Sequence, residues 1–145
     1  MRSRVSFSYP APGTSSFIVP QRRAGYRVVS VFYSFTLSAG IGNRAPQLSV
    51  LDGANGQLLV LFGTSQPALG TGQVTFACNL NVGRNADLGV ETVALPDDLW
   101  IQPQWSLTIG IGSALAGDTI ANITVLSEWY EGKELAKPPT EPQDS

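Results

Sequence analysis

The chain predicts an all-β fold, an antiparallel β-sandwich of the jelly-roll kind, and three observations carry the prediction. Apolar residues recur at every second position in short runs, the signature of a half-buried strand. Fifteen glycines and ten prolines break the chain too often for any amphipathic helix to form. Short strands without helical crossovers pack as two antiparallel layers. A closed barrel is the alternative architecture.

In chain order, about eight to ten strands are expected. Arg4 to Tyr9 alternates Val5, Phe7 and Tyr9 against polar residues, and Ser16 to Pro20 is a short second run. Tyr26 to Ser38 is the longest, with Val29, Val31, Tyr33, Phe35 and Leu37 on its apolar face and Val28, Ser30, Phe32, Ser34 and Thr36 on the other. Gln47 to Asp52 and Gln57 to Phe62 flank Asp52-Gly53-Ala54-Asn55-Gly56, a hairpin signal because Gly and Asn accept positive φ. Gln73 to Val82 alternates Val74, Phe76, Cys78, Leu80 and Val82. Leu88 to Leu95 follows, then Leu99-Trp100-Ile101, then Ser106 to Ile111 with Leu107, Ile109 and Ile111 inward. Thr119 to Tyr130 closes the sequence of strands, with Ala121, Ile123, Val125, Ser127 and Trp129 sharing a face. Val74, Phe76, Leu107, Ile109, Ile123 and Val125 are the expected core.

Residues 1–131 are thus read as a single sandwich domain and residues 132–145 as a proline-rich, flexible C-terminal tail. The tail holds Pro138, Pro139 and Pro142 and one large apolar residue, Leu135. It cannot bury enough apolar surface to offset the entropy of ordering, unless it docks on a neighbour.

The composition excludes most chemistry. There is no histidine and one cysteine among 145 residues, which removes the commonest general base, the usual zinc sites and any intrachain disulfide. A Ser/His/Asp arrangement is impossible, and both lysines, Lys133 and Lys137, lie in the tail. Asp97-Asp98 is the only adjacent acid pair and reads as a turn after Pro96. Glu91 and Glu128 read as solvent-facing or paired with arginine. Gly70-Thr71-Gly72 and Gly110-Ile111-Gly112 are turn glycines without the lysine of a phosphate loop. Cys78 sits on an apolar parity and reads as a buried, inert thiol. No catalytic, cofactor-binding or metal site is expected, and the chain reads as a non-enzyme.

Charge points to assembly. Charged residues are 14% of the chain, below the roughly 25% of soluble domains, and the formal net charge is −2. This is not the basic footprint of a nucleic-acid binder. Arg2, Arg4, Arg22, Arg23, Arg27 and Arg44 fall in the first third, while Glu128, Glu131, Glu134, Glu141 and Asp144 fall near the end. Such poles could draw copies together, or could be chance scatter on a solvated surface. Neither a secretory signal nor an apolar run of about 18 residues is present, so no membrane partner is expected.

The last third carries a resemblance. Val93-Ala94-Leu95-Pro96-Asp97-Asp98-Leu99-Trp100-Ile101-Gln102-Pro103-Gln104-Trp105-Ser106-Leu107 is followed by Ala116-Gly117-Asp118-Thr119-Ile120 and then Ser127-Glu128-Trp129-Tyr130. Upstream, Ile18-Val19-Pro20, Gly25-Tyr26-Arg27-Val28 and Asn43-Arg44-Ala45-Pro46 complete the order. Over residues 17–130 this resembles the small virion proteins of tailed bacteriophages encoded among head and neck genes. Each motif is a turn plus a strand, so the resemblance implies a fold and an assembly role and transfers no catalytic residue.

It implies a β-sandwich virion accessory protein: a capsid decoration (cement) protein, or alternatively a head–tail neck or tail accessory. It would be made in the host cytoplasm and reside in the virion. Its expected partners are itself, as a homo-oligomer such as a trimer, and a major capsid or neck protein. Arg2, Arg4, Arg22, Arg23 and Leu135 are the expected assembly contacts. A carbohydrate-binding module, stacking sugars on Trp100, Trp105 or Trp129, is the alternative of another class.

Overall fold

The computed structural model describes residues 2–10, 13–20, 25–54, 56–78, 83–85 and 89–130; the side chains of residues 2, 3, 84, 85, 129 and 130 fall outside that description. The expected tail, and with it Leu135, lies outside the described residues, as do Leu80, Val82, Arg22 and Arg23.

Eleven strands are present among the described residues. They are β1 (Arg2–Tyr9), β2 (Ser16–Val19), β3 (Tyr26–Thr36), β4 (Ala45–Leu51), β5 (Gln57–Phe62), β6 (Thr71–Ala77), β7 (Gly83–Asn85), β8 (Val90–Ala94), β9 (Trp100–Ile101), β10 (Ser106–Gly112) and β11 (Thr119–Tyr130). One sheet, the first, runs β1-β11-β3-β6-β8-β7, with β9 pairing the start of β3; the second runs β2-β10-β4-β5. The two sheets form the expected β-sandwich. All pairings are antiparallel except β6–β8, which runs parallel with Val74 beside Glu91 and Phe76 beside Val93.

The core lies between the sheets. Val31, Tyr33, Val74, Phe76, Ile123 and Val125 of the first sheet are fully buried, as are Leu48, Val50, Leu107 and Ile109 of the second. All six expected core residues are among them. A buried side chain of this size stabilises by roughly 1.5–3 kcal/mol, so the alternating runs drive the fold.

Register shifts at three places among the described pairs, at Leu58 on β5 and at one bulge on each of β11 and β3, and the last two change which residues are buried. On β11, Asn122 and Ile123 together face Tyr33, so Ile120 rather than Ala121 is buried. Asn122 sits at φ 54°, a left-handed conformation that Asn tolerates better than most residues. Its Nδ2 donates to Ser34 Oγ at 3.2 Å, and Ser34 Oγ donates to Ala121 O at 3.1 Å. On β3, Val29 is the extra residue, so Val28 is buried and Val29 is only half-buried, the reverse of the sequence expectation. One bulge on each strand of the longest pair cancels the other, and both strands end with an apolar face on the core.

One buried side chain reaches across the core to two strands of the other layer. Tyr33 on β3 donates its phenol hydrogen to Gly110 O on β10 at 2.6 Å and accepts the Gln47 N–H of β4 at 3.1 Å. Burial, partly opposed by these two hydrogen bonds, pushes its ionisation well above the usual phenol value. Gly110 must be glycine: its φ is 155°, and an added Cβ would collide with the backbone of Ser15 and Ser16.

Candidate assembly surface

One end of the sandwich holds a buried ion pair between Arg44, expected in the N-terminal charge pole, and the turn residue Asp118. Arg44 and Asp118 are both fully buried, with Arg44 Nε 3.0 Å from Asp118 Oδ2. The contact is close but lacks hydrogen-bond alignment. The rest of the guanidinium is engaged: Nη1 donates to Gly40 O at 2.6 Å and Gly42 O at 3.1 Å, and Nη2 donates to Ser38 O at 2.6 Å. Asp118 accepts the N–H groups of Leu115 and Ser38, each at 2.8 Å. Burial alone would raise its carboxyl, but those hydrogen bonds and the Arg44 charge outweigh it and hold the group below its ordinary value. The Ala116-Gly117-Asp118 turn is therefore a structural clamp, as its hydrogen-bonding residue types suggested.

Glu128, the one described acid of the expected C-terminal pole, meets two arginines of the N-terminal one. Because β1 pairs with β11, Arg4 lies directly across from Glu128, with Arg4 Nε 3.5 Å from Glu128 Oε2. Glu128 in turn faces Arg27 on β3, with Arg27 Nη1 3.2 Å from Glu128 Oε1. Arg27 Nε donates to Asp97 O at 2.7 Å and lies 3.8 Å from the exposed Asp98 carboxylate. Opposite charges thus neutralise one another across three neighbouring strands, and Asp97-Asp98 serves as an arginine partner at a turn. Of the two readings the sequence left open for Glu128, pairing with arginine holds, and the side chain is buried rather than solvent-facing. Glu91 departs from expectation: its carboxylate accepts the Thr64 N–H at 2.8 Å and Thr64 Oγ1 at 2.8 Å, tying β8 to the chain after β5.

Of the five expected contact residues, only Arg4 is described with its side chain. Arg4 is exposed on edge strand β1 and ion-paired; the backbone of Arg2 pairs with Tyr130. Arg22, Arg23 and Leu135 are among the undescribed residues. Cys78 is half-buried at the end of β6 rather than fully buried, with Sγ 3.6 Å from Arg27 Nη2 and from Val29 O. Trp100 and Trp105 are half-buried, and Trp105 packs on the core, so neither offers a bare stacking face. Two shallow depressions have volumes of about 70 and 60 Å³, against roughly 300–1,000 Å³ for a small-molecule site. Among the described residues no three acidic or cysteine side chains converge as metal ligands do.

The run Leu58 to Phe62, which the sequence already marks as apolar on both faces, lies on the outer edge of the second sheet. Strand alternation points Ile18, Thr108, Gln47, Ser49, Leu51, Leu58, Val60 and Phe62 to that sheet's outer face, and none is charged. Ile18, Leu58 and Phe62 are 59%, 48% and 57% exposed. The Thr108 hydroxyl is buried on this face without a protein hydrogen-bond partner, beside the depression lined by Ser16, Gln47 and Ser49. The signal was present in the run Leu58 to Phe62, apolar at every position, where a half-solvated strand would alternate.

No protein-family model and no curated protein matches the chain. Among solved structures, that of the infectious bursal disease virus Gt strain is similar at 12% identity with a TM-score of 0.37, over 92% of this chain and 33% of that one. The Gx strain structure is similar at 9% identity and a TM-score of 0.36, over 94% of this chain and 33% of that one. The chain spans about a third of the length of either, and likeness this distant carries no functional argument.

Proposed function

We propose that this protein is a non-enzymatic virion structural protein, a decoration subunit that stabilises a bacteriophage head by protein–protein contacts. The observation that carries the reading is the charge-free outer face of the second sheet, with Ile18, Leu58 and Phe62 exposed on a core that is already complete. Apolar residues held outward on a rigid sheet suit contact with another protein. The resemblance of residues 17–130 to tailed-phage virion proteins supplies the identity of that assembly. Its partners on this reading are further copies of itself and a major capsid protein. Arg2, Arg22, Arg23 and Leu135 are carried forward as contact residues from the chain ends and the β2–β3 connection, with Arg4 adding charge at the β1 edge.

Mixing the purified chain with particles that lack it tests the reading. Saturable co-sedimentation, with particles then surviving higher temperature, supports a decoration role. Binding at only one vertex would move the protein to the neck. No binding to any particle would overturn the proposal.

A further inference from the structure

We propose that β5 is a self-pairing edge: two copies join β5 to β5 antiparallel about a two-fold axis, making one continuous sheet through both sandwiches. The proposal gives a surface to the self-association inferred above and rests on that part of it alone.

Unpaired sheet edges invite strand addition, and proteins protect those that must stay single. Three of the four edges here carry such protection. β1 bears Arg2 and Arg4, β2 has four residues and stops at Pro20, and β7 has three residues. β5 carries least: Gln57-Leu58-Leu59-Val60-Leu61-Phe62 holds no charge and no proline over six residues, and its one irregularity against β4 is a bulge at Leu58 beside the hairpin, which leaves Leu59 to Phe62 in regular register. It pairs with β4 on one side and with nothing among the described residues on the other.

The register follows from symmetry. A two-fold axis perpendicular to the sheet keeps both cores on the same side, so paired residues must point to the same face. Pairing Val60 with Val60 satisfies this and sets Leu58 against Phe62 and Leu59 against Leu61. The exposed Leu58 and Phe62 then cover each other, an aliphatic–aromatic cross-strand contact of the stabilising kind. The absence of charge matters equally. A two-fold contact brings each residue's neighbourhood against its own copy, where like charges would repel. The outward face along β4 and β5 has none to repel. A pair closed this way contains two copies, rather than the trimer expected from the sequence.

Two measurements test it on the full chain. Sedimentation equilibrium should show dimers in the micromolar range. Val60→Lys should weaken dimerisation by about tenfold or more, while Ile41→Lys, at an exposed residue of the loop between β3 and β4, leaves it unchanged. In a Cys78→Ala background, Val60→Cys should oxidise readily to a covalent dimer, because directly opposed strand residues lie about 4.5–5.5 Å apart at Cα, within disulfide reach. Ile18→Cys should not. The cross-link reads the register even if Val60→Lys fails to fold. Dimers that persist in Val60→Lys and do not cross-link at Val60 would remove this surface while leaving self-association standing. A chain that stays monomeric throughout would remove both.

Discussion

Tyr33 is the residue whose loss should be felt in both layers at once. Tyr33→Phe leaves Gly110 O without its donor and the Gln47 N–H without its acceptor, inside a core that excludes water. We expect a loss of about 1–3 kcal/mol, read by urea unfolding. An unchanged midpoint would mean the phenol is not the link between sheets. Asp118 gives a pH signature. Its folded carboxyl lies below the ordinary 3.8, so the unfolded chain binds more protons at the same pH. Its contribution is complete above that value and drains away as pH falls through the folded value. Asp118→Asn should flatten this acid-side loss; Asp118→Ala strands Arg44 and should cost about 3–5 kcal/mol. The residue types of the clamp were legible, since a Gly-Asp turn offers a carboxylate to backbone N–H groups. Its partner was not. Nothing local to Arg44 says that a residue 74 positions later folds over it, and surface arginines are far commoner than buried ones.

The elements were readable wherever period two persisted, which is why Val74, Phe76, Leu107 and Ile109 fell on the core. β3 and β11 show the limit. A bulge shifts parity by one residue, and sequence periodicity records neither its presence nor its place. Asn122 was the one local hint, since Asn is enriched at positive φ. Asn122→Val should therefore destabilise by about 1–3 kcal/mol while Asn122→Gly is tolerated, a contrast measurable by thermal unfolding. If the two substitutions behave alike, the bulge is not held by this residue's backbone. The parallel β6–β8 pair was equally hidden, because alternation within a run does not say which strand it pairs with or in which direction. On β6, Phe76→Ala should cost about 3–5 kcal/mol, and an unchanged melting temperature would contradict its place in the core.

At the scale of the molecule, two sheets enclose one core, and among the described residues Arg4, Arg27, Arg44, Asp98, Asp118 and Glu128 pair with one another. Charge asymmetry along the sequence was a poor guide to surface poles because β1 and β11, far apart in the chain, are neighbours in the sheet. The contact proposed above falls on the uncharged outer face of the second sheet and on the chain ends. Deleting residues 133–145 should leave the melting temperature unchanged and weaken attachment to particles; full attachment at wild-type resistance to salt and heat would show that the tail carries no contact. The central claim is that the protein belongs to the virion. Imaging purified particles made with and without this chain tests it most directly. The account predicts density on the head surface that disappears when the chain is absent. Particles of identical appearance, with the protein left behind in the lysate, would contradict it.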